Sequence, residues 1–258
     1  MDATLGYVAT RGRVAECRRD GAMQATLTTG ESLTFPVASR ELNQFLVGYR
    51  ARAADVRRLL PADLRPLDQG YGLTHVYLYW LEAAQSDFGP YRELAVLFPV
   101  REPYFGAECY HYYANPITTE RACKVGFELW GNPCTLAEVD IEHGPRGIRC
   151  SVAVDSHKVL DMLAAPGAAG PSTDQGLLST AGDYSEPRRS EVYRYAQTAR
   201  ACTREERPQH VSITFGPHPL GELLRALVID EQPVKSIYYS GSTIWSGPRY
   251  SNLYPVRH

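Results

Sequence analysis

The chain has 258 residues, 27 basic and 29 acidic, a formal net charge of −2 and a pI near 6.4. That balance speaks against a general nucleic-acid or anionic-membrane binder, which carries a basic excess. With 44% hydrophobic and 22% charged residues it has the composition of a globular protein able to bury a core.

The N-terminus, Met1-Asp2-Ala3-Thr4, lacks the basic and apolar regions of a leader. No apolar run approaches the roughly 18 residues of a membrane span. Six cysteines (17, 109, 123, 134, 150 and 202) lack CxxC spacing, so the expectation is a cytoplasmic protein with reduced thiols. A β-prone piece, Met23 to Leu27, precedes a strand signal at Phe45 to Tyr49, then a short helix from Ala53 to Leu60 ended by Pro61. Gly72 to Trp80 reads as a strand, with His75, Tyr77 and Tyr79 on one face and Val76 and Leu78 on the other. Glu93 to Val100 and Glu108 to Tyr113 read as further strands.

A helix is predicted over 116–130, with Asn115 as N-cap, Pro116 at the first position, and Gly131 and Pro133 as stop. Strands follow at about Leu136 to Ile141 and Arg149 to Val154, joined by a turn at Gly144-Pro145. Residues 163–190 are rich in small and turn residues and read as a surface insertion, or a loop near a site. The tail returns to a strand (Val211 to Phe215), a helix (Leu220 to Leu227) and a strand-like stretch (Val234 to Tyr239). Many short strands with two or three helices indicate a single α+β domain on antiparallel sheet, spanning residues 1–258.

The run Gly126-Phe127-Glu128-Leu129-Trp130-Gly131-Asn132-Pro133-Cys134 resembles the acetoacetate decarboxylase signature, a helix end of the form G-R-E-L-x-x-Y-P-K-K. Tyr91-Arg92-Glu93 with Phe98-Pro99-Val100 resembles that family's Y-x-E then I-P-V. Pro233-Val234-Lys235-Ser236-Ile237 resembles its P-V-K-x-I. Together the pieces cover roughly residues 40–155 and 230–245. The resemblance implies a conical antiparallel β-barrel or sheet with a few flanking helices, closed around a small pocket, in a homo-oligomer. It also implies a small keto or enol carboxylate as substrate, and no cofactor.

In that family the first lysine of P-K-K forms an imine with a β-keto acid. Here the two lysine positions read Cys134 and Thr135. A thiol adduct of a carbonyl is a hemithioacetal and not an electron sink, so the imine reaction is doubtful at this position. The chain has only three lysines, against 24 arginines. Lys124 falls inside the predicted helix and Lys235 outside the imine position. Cys134 is thus a catalytic thiol or a small buried hydrophobe. Glu93 matches a pocket glutamate; in an apolar cavity its pKa would rise and it would shuttle a proton. The plainer alternative is a solvent-exposed strand end.

Arg40 matches a family arginine near the substrate carboxylate, although an ordinary surface arginine fits as well. Tyr77 falls where the family has a second glutamate, and with His75 and Tyr79 it lines a binding face or is a half-buried aromatic strand. Cys109, His111 and Tyr113 share another strand face; His111 and Tyr113 join the substrate-binding candidates, and a third metal ligand is not apparent. No Walker A loop, Rossmann glycine pattern or G-x-S-x-G elbow is present. Residue 137 is alanine, so Pro133-Cys134 is not a zinc-deaminase motif.

The expected function is acid–base chemistry on a keto or enol carboxylate without a lysine imine. That describes a lyase (dehydratase type), cyclase or isomerase of secondary metabolism. An imine-independent decarboxylase and a non-catalytic small-molecule-binding protein are the alternatives.

Overall fold

The computed structural model describes residues 13–17, 23–62, 64–101, 108–165, 177–183, 190–206, 208 and 210–245. Strands β1 (Arg13–Cys17), β2 (Met23–Thr26) and β3 (Ser32–Phe35) form a small antiparallel sheet. Next come β4 (Val37–Arg52), α1 (Ala53–Leu59), β5 (Arg65–Pro66), β6 (Leu73–Ser86), β7 (Tyr91–Arg101) and β8 (Glu108–Ile117). Helix α2 (Glu120–Val125) runs into a π-helical turn, Gly126–Trp130, and then β9 (Cys134–Leu136), β10 (Glu138–Gly144), β11 (Gly147–Val154) and β12 (His157–Ala164). The rest is β13 (Leu177–Asp183), β14 (Ser190–Glu206), β15 (Val211–Phe215), α3 (Pro219–Leu227) and β16 (Lys235–Trp245).

Nine strands make the main sheet, in the order β5-β7-β6-β4-β16-β14-β13-β8-β9, and β8 also pairs with β7. The pairing therefore runs from β7 through β6, β4, β16, β14, β13 and β8 and returns to β7. Most neighbours are antiparallel; β8 pairs in parallel with β13 and with β9. A four-stranded sheet, β10-β11-β12-β15, is hydrogen-bonded separately.

Both faces of the main sheet are covered, which is why strands such as β7 read as continuous apolar runs. Alternation divides them. Val76, Leu78 and Trp80 of β6 join Leu94, Val96 and Phe98 of β7 in a core shared with the four-stranded sheet, α1 and α3. Tyr77, Tyr79 and Leu81 face the other way, into a second core built with the β2–β3 hairpin, α2 and the π turn. The alternation expected for β6 is what the strand shows.

Sequence and structure differ at three places. The predicted helix at 116 begins at Glu120, because Asn115 to Ile117 stay in β8, paired with β9 (Asn115 opposite Cys134). Thr119 is the N-cap instead, its hydroxyl accepting the Ala122 N–H at 3.2 Å. The predicted end holds: Gly131 takes the left-handed conformation (φ 69°) and Pro133 follows. Within 163–190, β13 pairs with β14 and β8, since backbone pairing tolerates its small residues; residues 166–176 and 184–189 lie outside the described residues. The 17-residue β14 had no clear signal.

Candidate active site

Glu93 is drawn to the second core by its place on β7, opposite Leu81 on one side and Ile117 on the other. It is 6% exposed. A small cavity of about 30 Å³, room for about one or two waters, lies against it. Tyr79, Phe88, Tyr91, Tyr112 and Trp130 contribute rings to its wall, with Asn115 and Asn132 the amides. Among the described residues that line it, none is an arginine or a lysine. Removal from water pushes the Glu93 pKa up to about 7, against the smaller lowering effect of a hydrogen bond from Asn115.

Asn115 is the hub. Its Nδ2 donates to Glu93 Oε2 at 3.2 Å and to the Leu94 carbonyl at 3.3 Å, and its Oδ1 accepts from Cys134 Sγ at 3.2 Å. A bulge puts it there. Val96 pairs with Ala114 but Leu97 pairs with Tyr112, so Tyr113 is an extra residue and the facing pattern of β8 changes phase. Asn115 thereby shares a face with Glu93 and Ile117. His111 and Tyr113 do not: His111 pairs with Phe98, and the Tyr113 ring packs on Phe98 at 5.2 Å. They line a separate open cleft with Arg57, Arg58 and Pro133.

Cys134 follows directly from the left-handed stop at Gly131. Its Sγ lies so close over the π turn that a methyl group at Gly126 would sit 2.9 Å from it. The Cys134 sulfur is also within hydrogen-bonding reach of Cys123 of α2, so its single proton is shared between two acceptors, Asn115 Oδ1 and the Cys123 sulfur. The bond to Cys123, then burial, then the nearby Cys123 and Glu93 charges hold Cys134 well above the ordinary thiol range, while the same bond lowers Cys123. Cys134 is therefore a protonated donor near neutral pH, not a nucleophilic thiolate.

The other sequence candidates lie further off. Arg40 is exposed and paired with Asp87. Tyr77 is buried over Gly48, where a Cβ would meet its ring at 2.5 Å. His75 Nδ1 and the Tyr77 hydroxyl are 3.1 Å apart, and neither residue lines the Glu93 cavity, whereas Tyr79 does. Lys124 pairs with Glu120 and Lys158 with Asp161, both away from the cavity. Sequence reasoning missed Asn115, taken as a helix cap, and Cys123. The Tyr91 beside Glu93 and the Trp130 in the signature were visible as motif letters but carried no sign that their rings wall a cavity.

A buried, aromatic-walled carboxyl held by an amide thus lies on a mixed sheet whose pairing returns on itself. The acetoacetate decarboxylase (ADC) family model matches residues 23–253, and the chain belongs to that family. Its fold is similar to acetoacetate decarboxylase from Legionella pneumophila subsp. pneumophila str. Philadelphia 1 (15% identity, 83% of this chain and 86% of that one, TM-score 0.65). It is also similar to the enduracididine biosynthesis enzyme MppR complexed with pyruvate (16% identity, 86% and 94%, TM-score 0.60). A third likeness is to an acetoacetate decarboxylase-like enzyme from Sphingomonas wittichii RW1 (16% identity, 86% and 96%, TM-score 0.57). No curated protein matches in sequence. Among the described residues no helix is long and apolar enough to cross a membrane.

Proposed function

We propose that the chain is an enzyme of small keto or enol carboxylates that moves protons with Glu93 and forms no lysine imine. The observation that carries this reading is a carboxyl buried among aromatic rings and held by an amide rather than a cation, with a pKa near 7. Such a group takes and returns protons at neutral pH. As carboxylate, Glu93 removes a proton from the carbon beside a ketone. The C–H pair becomes the new C=C bond and the carbonyl pair moves to oxygen, giving an enolate. A phenol from Tyr79, Tyr91 or Tyr112 hydrogen-bonds that oxygen. The proton on Glu93 then goes to another carbon (isomerisation) or to a departing hydroxyl (dehydration). Cys134 acts through Asn115, fixing the amide that aims Glu93.

Phenols and amides of the lining hold the substrate carboxylate by hydrogen bonds. A three-carbon acid is larger than the cavity as it stands, so aromatic side chains turn aside to admit it. The keto acid bound by the similar enduracididine enzyme supports the substrate class.

The test is exchange of the carbon-bound protons of pyruvate, 2-oxobutyrate and acetoacetate into deuterium oxide, followed by proton NMR. Enzyme-catalysed exchange that disappears in Glu93→Gln is expected. Borohydride added with the same acids should leave the protein mass unchanged. A stable lysine adduct would overturn the reading, as would exchange that survives Glu93→Gln.

A further inference from the structure

We propose that Cys123 and Cys134 form a thiol-modification site that takes a low-molecular-weight disulfide of the glutathione class and closes into a Cys123–Cys134 disulfide. Two independent placements bring the sulfurs together. Cys134 Sγ lies over the backbone of Gly126, and Cys123 is three residues earlier, on the same side of the α2–π turn. The two thiols are hydrogen-bonded. Both sit at the margin of the aromatic core and both are partly exposed, whereas Cys109 and Cys150 are buried in the core on the other face.

The pair is unequal, and the inequality sets the order of events. When Cys123 ionises, Cys134 turns its single S–H from Asn115 to the Cys123 sulfur, which favours the Cys123 thiolate, so Cys123 attacks first. Its sulfur bonds to one sulfur of the small disulfide, that S–S bond breaks, and one glutathione thiolate leaves. Cys123 then carries no charge and accepts less from its neighbour, which removes the first-named cause of the high Cys134 pKa. Cys134 gives its proton to solvent, attacks the Cys123 sulfur, and expels the second glutathione. In sum the protein loses two hydrogens and one oxidised glutathione becomes two reduced ones.

Oxidation also removes the S–H that donates to Asn115 Oδ1 at 3.2 Å. The amide that holds Glu93 loses one of its anchors, and turnover falls. This consequence rests on the acid–base reading above; the disulfide itself does not.

The purified chain is incubated with graded oxidised glutathione and its intact mass and non-reduced peptides are read. The expected product has lost two hydrogens, joins the Cys123 and Cys134 peptides, and returns to the starting mass with dithiothreitol. Cys134→Ser should instead stop at one glutathione on Cys123. A second probe on the unaltered chain, phenylarsine oxide, should bind once and protect both thiols from iodoacetamide. A cross-link through any other cysteine overturns the proposal, as does protection of one thiol alone. Exchange activity, read in parallel, should fall about tenfold on oxidation and recover on reduction. A disulfide that forms without that fall leaves the modification site standing and counts against the role given to Glu93.

Discussion

Glu82 and Glu93 occupy adjacent antiparallel strands, one register step apart, and face opposite ways. Glu82 looks toward the four-stranded sheet, where Arg92 Nε meets one oxygen at 2.9 Å and His143 Nε2 the other at 3.0 Å. Glu93 looks into the aromatic core, where a neutral amide is its partner and burial drives its pKa to about 7. The residue type is the same and the strands are the same. What differs is whether the carboxyl meets a guanidinium and an imidazole at a sheet margin or rings in a cavity. The cavity leaves a proton on Glu93 free to come and go.

The largest way to break this contrast is Glu93→Gln, which should lower proton exchange on a keto acid by about 10²–10⁴-fold with the fold kept, as read by circular dichroism. The same variant addresses pH. Glu93 titrates at about 7 in the folded chain against an ordinary 4.5, so the folded state holds the proton more tightly. Its contribution is complete below about pH 4.5 and is lost as pH rises through 7. From this group, denaturant titrations should find the chain about 2.5 kcal/mol more stable at pH 5 than at pH 8, and Glu93→Gln should flatten that slope.

Gly126→Ala comes next. Its methyl group meets Cys134 Sγ at 2.9 Å, so the thiol must move off Asn115. A loss of about 1–3 kcal/mol, read by chemical denaturation, should accompany slower exchange. Thr28→Val removes a hydroxyl donor from the buried Glu128 carboxyl, which Thr28 also holds through its N–H (2.7 Å). It should cost about 1–2 kcal/mol. The smallest effect belongs to Glu82→Gln. Its partners Arg92 and His143 are 41% and 44% exposed, so under about 1 kcal/mol is expected, with exchange nearly unchanged. A large loss of exchange in that variant would erase the distinction between the two glutamates.

Much of this was legible in residue order. The alternation of β6, the stop at Gly131-Pro133, the hairpin at Gly144-Pro145, the closing helix and the family itself can be read from periodicity, turn chemistry and short motifs. Glu93 was legible through its Tyr-x-Glu setting. Asn115 was not, because Asn-Pro followed by a helical pattern has the local signature of a cap. Strand pairing with β9, in which Asn115 faces Cys134 nineteen residues on, overrode that signature. Cys123 lay hidden in the same helix, since no spacing rule links a helical thiol to one beyond the next turn. Arg40 and Tyr77 were placed by matching to a distant pattern, and a shift of one or two residues along a strand decides whether a side chain reaches the cavity.

The extra residue at Tyr113 works as a phase shifter in β8. Drawing Tyr113 into the ladder, with no bulge, would bring Ala114 round to the position Asn115 now holds and turn Asn115 to the other face. Deleting Tyr113 would instead keep Ala114 opposite Val96 and Tyr112 opposite Leu97, with strict alternation restored and Asn115 still beside Glu93. The side chain beside Glu93 is thus set by register as well as by residue identity, and a comparison that reads β8 by alternation alone would put Asn115 on the wrong face.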